Sequence, residues 1–520
     1  MRAARLLVPL LLAALAGGCG AVPEPAPPPP ADVQPPERLV DLKAATWSAM
    51  AAAEAAAEAR LRAAIRRARR SETVAGALRL ALLTGRLEPK AHDRLRREYE
   101  AARSAAHRLT GVRAAELETV VGVVERLAAE HRLTVSRMRP AFLVLRRNTE
   151  FWTRAPMPAA GKRTQFGRDP AVFQYYPGRG MQLQPLASWG RVNWMAGDCL
   201  RAREIARRRA ACPVHRLRRD VDGLLALASR RGSFLAWEHF FDWGGGTAPW
   251  ISGMTQATAI SALARAGAAL DEPRWTRAAH RALGAFRAPP PLGVAGGDHY
   301  LMYSFAPSLR IFNGELQAVS GIGELARLGD DRAARRLFRR GERAVRSTVA
   351  AFDTGAWSLY SQYGRESTLS YHQLLRRFLG DMCARTGRRT YCAADRRLHR
   401  YEREPTRIAI APLRRLRARR ATTVRFSISK VSSVRVRIRG ARGLSLSDDL
   451  ELAHGAHTIA WTPPSRGRFH IRIEAQGPSG PLGVESRTVR IVLPKPPPKR
   501  CKHRPPGRPR ACRPRRSPTS

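Results

Sequence analysis

From Leu39 to about Phe151 apolar residues recur at the three-and-four spacing of a helix face, with Arg on the other faces, most clearly over Ala44–Arg70 and Ala114–His131. The stretch is Ala-rich, nearly free of Gly, and has no Pro between Lys90 and Pro140. It predicts a helical N-terminal region, residues 39–150, that packs or spaces the rest. After Phe151 helical runs such as Thr255–Ala269 and Gly314–Leu328 alternate with Gly/Pro/aromatic loops, among them Tyr176–Gly180, Trp243–Gly246 and Ala288–Gly297. Helix pairs joined by aromatic-rich loops predict an (α/α) toroid-like domain over 151–405. Beyond about Arg407 the period becomes two: Val424–Ser429, Val434–Arg439, His457–Trp461, Phe469–Glu474 and Val489–Val492 alternate apolar and polar residues. Five or more such strands predict a small β-sandwich over 406–493. The fold class is therefore mainly α, with the sandwich after the helical domains.

Composition adds a compartment and a partner class. Lys plus Arg number 92 against 42 Asp plus Glu, for a formal charge of +50, but only 7 of the 92 are Lys. That ratio reflects Arg replacing Lys throughout; the sign still attracts polyanions. The only long apolar run, Leu6–Leu15, is too short to span a bilayer and follows Arg2 and Arg5, as in an export signal. Ala16-Gly-Gly-Cys19 resembles a bacterial lipobox, so residues 1–19 are expected to direct export, with Cys19 lipidated and anchored in the outer leaflet. The alternative is ordinary cleavage and secretion. Residues 20–38 are a Pro/Ala-rich spacer, and 494–520, with ten Lys/Arg, nine Pro and no acid, cannot form a core. Export argues against a nucleic-acid partner.

Six cysteines remain after Cys19, in three close pairs: Cys199/Cys212, Cys383/Cys392 and Cys501/Cys512. In an oxidising compartment they predict three local disulfides. No metal is expected, since no CxxC occurs and no His lies at ligand spacing from the pairs. No cofactor is called for.

The chemistry concentrates between 170 and 375. Four segments exceed what helix packing needs: Phe173–Ala187, Trp237–Ala257, Tyr303–Gly314, and Asp353–Tyr360 followed by Leu369–His372. Ser252-Gly-Met-Thr-Gln256, Tyr303 through Pro307-Ser308 to Phe312-Asn313-Gly314, Asp353-Thr-Gly through Tyr360, and Tyr371-His372 together resemble the C-terminal domain of the glucuronyl C5-epimerases, over about 170–385. The strands after 406 resemble the immunoglobulin-like modules appended to exported bacterial enzymes.

The epimerase resemblance implies removal of the carbon-5 hydrogen of a uronate and return of a proton to the other face. That chemistry needs two acid/base groups, plus cations or donors for the enediolate charge. By correspondence Tyr303, Tyr360 and Tyr371 are the acid/base candidates, and they act as bases only where cations lower a phenol pKa of about 10. Arg179, Arg310 and Arg365 are candidates for gripping the carboxylate. Gln182, Gln184, Gln256, Asn313 and His372 are candidates for hydroxyl contacts, with Tyr175, Tyr176 and Trp250 as stacking surfaces. The chain departs from the family at Met302, where a Glu is expected, at Ser370 in place of an Asp, and at Ser361-Gln362-Tyr363 in place of Asp-Leu-Arg. Glu238 is the candidate replacement base. The expected partner is an acidic polysaccharide. The competing readings are a lyase, which abstracts the same proton but expels the carbon-4 substituent, and a non-catalytic glycan-binding surface lipoprotein.

Overall fold

The computed structural model describes residues 37–204, 212–414 and 416–493. The export signal, Cys19, most of the spacer, Cys501, Cys512 and the basic tail lie outside the described residues.

The chain divides into two units, Met1–Arg67 and Ala68–Ser520. The first is described as the body of a long helix, α1 (Glu37–Arg70), which carries an i,i+4 ion pair between Glu58 and Arg62 at 3.0 Å. Among the described residues no helix is long and apolar enough to cross a membrane.

The second unit opens with α2 (Val74–Leu83), α3 (Pro89–Arg108), α4 (Gly111–Ala129) and α5 (Val135–Arg154). Thr73 caps α2 by accepting from Gly76 N–H, and Pro89 opens α3 at a position where its missing N–H costs nothing. A three-stranded antiparallel meander follows: β1 (Arg163–Gln165), β2 (Val172–Tyr176) and β3 (Gly180–Leu183).

Eight helices then alternate between two rows. One row holds α6 (Pro185–Glu204), α8 (Gly253–Leu270), α10 (Phe312–Leu328) and α12 (Leu369–Thr386). The other holds α7 (Val214–Leu225), α9 (Pro273–Ala282), α11 (Arg332–Thr348) and α13 (Arg389–Tyr401). Short hairpins interrupt the connections: β4 (Ser229–Arg231) with β5 (Phe234–Ala236), and β6 (Ala295–Gly296) with β7 (His299–Tyr300). Each first-row helix packs on the next and on the helix that follows it. This is the toroid-like arrangement that the alternating pattern predicts.

Polar contacts fix the direction of the first row. Ser261 bonds Asn193 at 3.0 Å, Gln317 bonds Thr258 at 3.0 Å, and Glu324 takes Arg265 at 2.9 Å and Arg385 at 2.7 Å. With Arg203 on Ala268 O at 2.6 Å and Ser320 on the Met382 sulfur at 3.4 Å, numbers rise together along every pair, so α6, α8, α10 and α12 run parallel and begin at one rim. The central helix α8 is Ala-rich and buried almost all round. Its contact with α10 is close enough that a Cβ on Gly321 would lie 2.3 Å from Ala257 O. Two disulfides staple hairpins between the rows, Cys199–Cys212 joining α6 to the start of α7 and Cys383–Cys392 joining α12 to α13.

The last seven strands form two facing sheets around one apolar core. They are β8 (Ile408–Ile410), β9 (Thr422–Ile428), β10 (Ser432–Gly440), β11 (Gly443–Leu452), β12 (Gly455–Trp461), β13 (Gly467–Gln476) and β14 (Gly483–Ile491). One sheet has the order β11-β10-β13-β14 and the other β12-β9-β8. Alternate residues of β10 (Val434, Val436, Ile438) face inward and the intervening arginines face water. The sandwich is keyed to the helices through the β9–β10 turn. Buried Lys430 donates to Tyr401 O at 2.8 Å and Glu404 O at 2.6 Å, and Glu366 accepts from Val431 N at 3.0 Å and His454 N at 2.8 Å.

Candidate active site

The rim where α6, α8, α10 and α12 begin is built by the four segments that precede them. In the first, buried Glu116 of α4 takes the Tyr175 hydroxyl at 2.7 Å, Gly178 N at 2.7 Å and Gly180 N at 2.6 Å. One carboxylate thus holds the whole β2–β3 turn. The next residue, Tyr176, is half-buried and its hydroxyl accepts from Gln184 at 2.7 Å.

The second segment makes a turn at Trp243–Gly246, closed by backbone bonds of 2.9 and 2.8 Å in both directions. A Cβ on Gly246 would fall 2.2 Å from the Phe305 ring, so glycine here is what lets Phe305 seat. In the third segment Tyr303 bridges Ser252 through its backbone and stacks on Phe305, with centroids 5.2 Å apart and planes at 16°. The fourth folds Tyr360 back through a bond from its N–H to Arg365 O at 2.9 Å. Its ring meets Tyr371, in the first turn of α12, edge-on at 4.7 Å.

The phenols sense one another. Burial raises the Tyr303 pKa; a hydrogen bond from Trp243 partly offsets this, and Tyr371 adds to it. Tyr360 is raised well above the usual phenol range by burial first, then by Tyr303 and Tyr371. Tyr176 is also raised by burial, and it too feels Tyr303 and Tyr371. Tyr303 and Tyr360 from two loops and Tyr371 from the first turn of α12 therefore come together, with Tyr176 beside them. Among the described residues no arginine acts on Tyr303 or Tyr360. For Tyr303 and Tyr360 the expectation that guanidinium groups lower the phenol is not met; burial raises both.

Several candidates are committed elsewhere. Glu238 is 1% exposed and clamped between Arg137 (2.7 and 2.9 Å) and Arg231 (2.6 Å), so it is an ion-pair anchor and not a free base at the tyrosines. Tyr175 is buried against Glu116, which, after burial itself, pushes its pKa up to about 12. Trp250 is 4% exposed and lies flat on His239 at 4.0 Å, with Phe241, Tyr303 and Phe305 at its edges. It has no open face for a sugar. Gln256 is fully buried and brackets the Trp237 backbone at 3.1 and 2.9 Å. His372 is fully buried, bonded to Ser358 at 2.8 Å and Leu398 O at 3.0 Å, and stacked on Trp357 at 3.7 Å. Neither Gln256 nor His372 is offered to a ligand hydroxyl.

The arginines are dispersed. Arg365 is exposed on the Tyr360 turn, and Arg310 faces Glu315 at 3.8 Å. Arg179 donates to Asp242 O at 2.5 Å and sits 5.7 Å over the Trp243 ring. Asn313 Oδ1, Gln182 Oε1 and Gln184 Oε1 are buried without a hydrogen-bond partner, which leaves acceptors unspent at the rim. Met302 touches Ser252 through its sulfur at 3.8 Å, and Ser370 bonds Thr368 at 3.1 Å. Glu116, Trp243 and Phe305 are rim residues that sequence reasoning did not single out. Trp243 and Phe305 stand in the quoted segments, but Glu116 carries no local signal. Among the described residues no group of three or more His, Cys, Asp or Glu is arranged to hold a metal ion.

Residues 231–400 match the family described as D-glucuronyl C5-epimerase C-terminus. The matched stretch contains the second, third and fourth rim segments and supports an epimerase-like function for this part of the chain. Among solved structures, cellobiose 2-epimerase from Spirochaeta thermophila is similar at 14% identity and a TM-score of 0.33, over 51% of this chain and 69% of that one. No curated protein sequence matches.

Proposed function

We propose that the protein exchanges the carbon-5 proton of glucuronate residues in an acidic polysaccharide, as a uronate C5-epimerase-like enzyme. The observation that carries this reading is the meeting of Tyr303, Tyr360 and Tyr371 at one rim within an epimerase-type segment. Burial keeps Tyr303 and Tyr360 as phenols, which suits the step that returns a proton to carbon 5. The accepting step falls to Tyr371, the exposed member at 41%, acting as the phenolate: its hydroxyl proton first passes to water, and the carbon-5 proton then takes its place. The starts of four parallel helices bring their positive ends to the same rim, a favourable field for a substrate carboxylate. The protein acts outside the cytoplasm, anchored through Cys19; the two disulfides support an oxidising compartment.

A second reading, a silent glycan binder, is favoured by one set of facts. Among the described residues no arginine acts on Tyr303 or Tyr360, Met302 stands where the family has a Glu, and Glu238 is locked by two guanidiniums. Incubation of the protein in D2O with a glucuronate–N-acetylglucosamine polymer separates the readings. Deuterium at carbon 5 without new ultraviolet absorbance supports the epimerase. Absorbance from an unsaturated uronate makes it a lyase, and binding with neither signal makes it a binder.

A further inference from the structure

Close to Tyr176, whose ring stacks on Phe241 at 4.8 Å, lies a pocket of about 450 Å³ lined by Phe241 and Asp242, by Gly122 and Arg126 of α4, and by Arg179 and Gln182 of the β2–β3 hairpin. Its size falls in the range of small-ligand sites. The α4 and hairpin walls lie outside the stretch that matches the epimerase family. Trp243 joins the two places, because Tyr176 meets its ring edge-on at 5.5 Å while Arg179 lies over the same ring at 5.7 Å.

The polar groups of the pocket are unevenly satisfied. Asp242 Oδ1 is spent twice, on Arg126 Nη2 at 2.6 Å and on Ala248 N at 2.9 Å. Arg126 Nε is buried without an acceptor. Gln182 is 1% exposed; its amide donates to Arg179 O, and its Oε1 is left buried without a donor. The buried N–H of Arg126 and the buried carbonyl oxygen of Gln182 belong to residues that line one space, and they call for a group that both accepts and donates, as a sugar hydroxyl does. Two guanidiniums against one carboxylate leave the pocket net positive. That balance selects an anionic ring over a neutral one.

We propose that this pocket is a subsite for the next acidic sugar of the same chain, two residues from the one that reacts, with Arg126 and Arg179 donating to its carboxylate and Gln182 Oε1 accepting from a hydroxyl. The proposal rests on the uronate reading above and makes the N-terminal helical region part of the binding groove rather than a spacer. Arg126 and Gln182 here are binding residues; no chemistry is assigned to them.

Titration calorimetry with a glucuronate–N-acetylglucosamine hexasaccharide and its carboxyl-reduced counterpart tests it. The wild type is expected to bind the acidic chain about tenfold more tightly than the reduced one. Arg126→Gln and Arg179→Gln, with unchanged circular dichroism, should each remove most of that preference, and Gln182→Met should weaken both ligands alike. Asp242→Asn breaks the ion pair but keeps Arg126, and should bind the acidic chain at least as tightly as wild type. Equal binding of both hexasaccharides by wild type, full preference in both arginine variants, or loss of preference in Asp242→Asn alone overturns the subsite. Carbon-5 exchange is measured on the same samples. Arg126-dependent binding without exchange leaves the subsite standing and removes the epimerase; exchange with no dependence on Arg126 does the reverse.

Discussion

Glu238 decides between two accounts of the same residue, and replacing it with Gln makes the difference large. The carboxylate side chain is 0% exposed and faces Arg137 and Arg231, themselves 12% and 8% exposed. Gln keeps the shape but leaves two buried guanidiniums without their counter-charge. Breaking a buried pair from one side costs about 3–5 kcal/mol. For a unit of about 450 residues that corresponds to a melting temperature lower by roughly 3–5 °C. Burial opposes ionisation of Glu238, but the two guanidiniums outweigh it and hold the carboxyl below its usual range. Its stabilisation is therefore present above the unfolded value of about 4.3 and lost as pH falls through the lower folded value. Melting curves followed by circular dichroism at pH 7 and pH 3 should show a wide gap between wild type and Glu238→Gln at the first pH and a narrow one at the second. A variant that melts like wild type yet loses all carbon-5 exchange would refute the anchor and restore the base.

Two further outcomes follow from buried groups and cross-links. Burial lowers His372 to about 4 and His239 to about 3, so both stay neutral in the fold while the unfolded chain protonates near 6.5. Stability should be full above about pH 6.5 and fall toward pH 4, and melts of His372→Gln across that window should show a shallower slope. The two disulfides close loops with sequence separations of 13 and 9, for which chain entropy suggests about 2.5–3 kcal/mol each. Melting with and without a reductant should show a lower transition on reduction, and an unchanged one would mean that the staples contribute little.

The periodicities carried the architecture because they report burial directly. β10 and β13 alternate cleanly, since each lies between two neighbours and turns one face to the core. β11 escaped notice because it is an edge strand, and Gly443–Leu452 buries none of its residues fully. At the rim the tyrosines were legible from their motifs, whereas their surroundings were not. The partners of Glu238 include Arg137, 101 residues away, and no local pattern announces such a pair. Glu116 looks like any carboxylate on a helix, yet it organises a turn about 60 residues downstream. Trp250 and His372 carry ligand-type chemistry but spend it on His239 and Trp357 by face-to-face packing. Residue type points to what a side chain can do, and only packing decides whether it is left free to do it.

The central claim is that phenols gathered from separate segments of the rim move the proton at carbon 5. Deuterium incorporation from D2O, followed by NMR of a glucuronate polymer, should be compared for wild type, Tyr303→Phe, Tyr360→Phe and Tyr371→Phe, each checked for an unchanged melting temperature. The account predicts incorporation by wild type and a loss of on the order of 10²–10⁴-fold in the phenylalanine variants, the range for removing a positioned acid or base. Wild-type incorporation that persists undiminished in all three variants would contradict it.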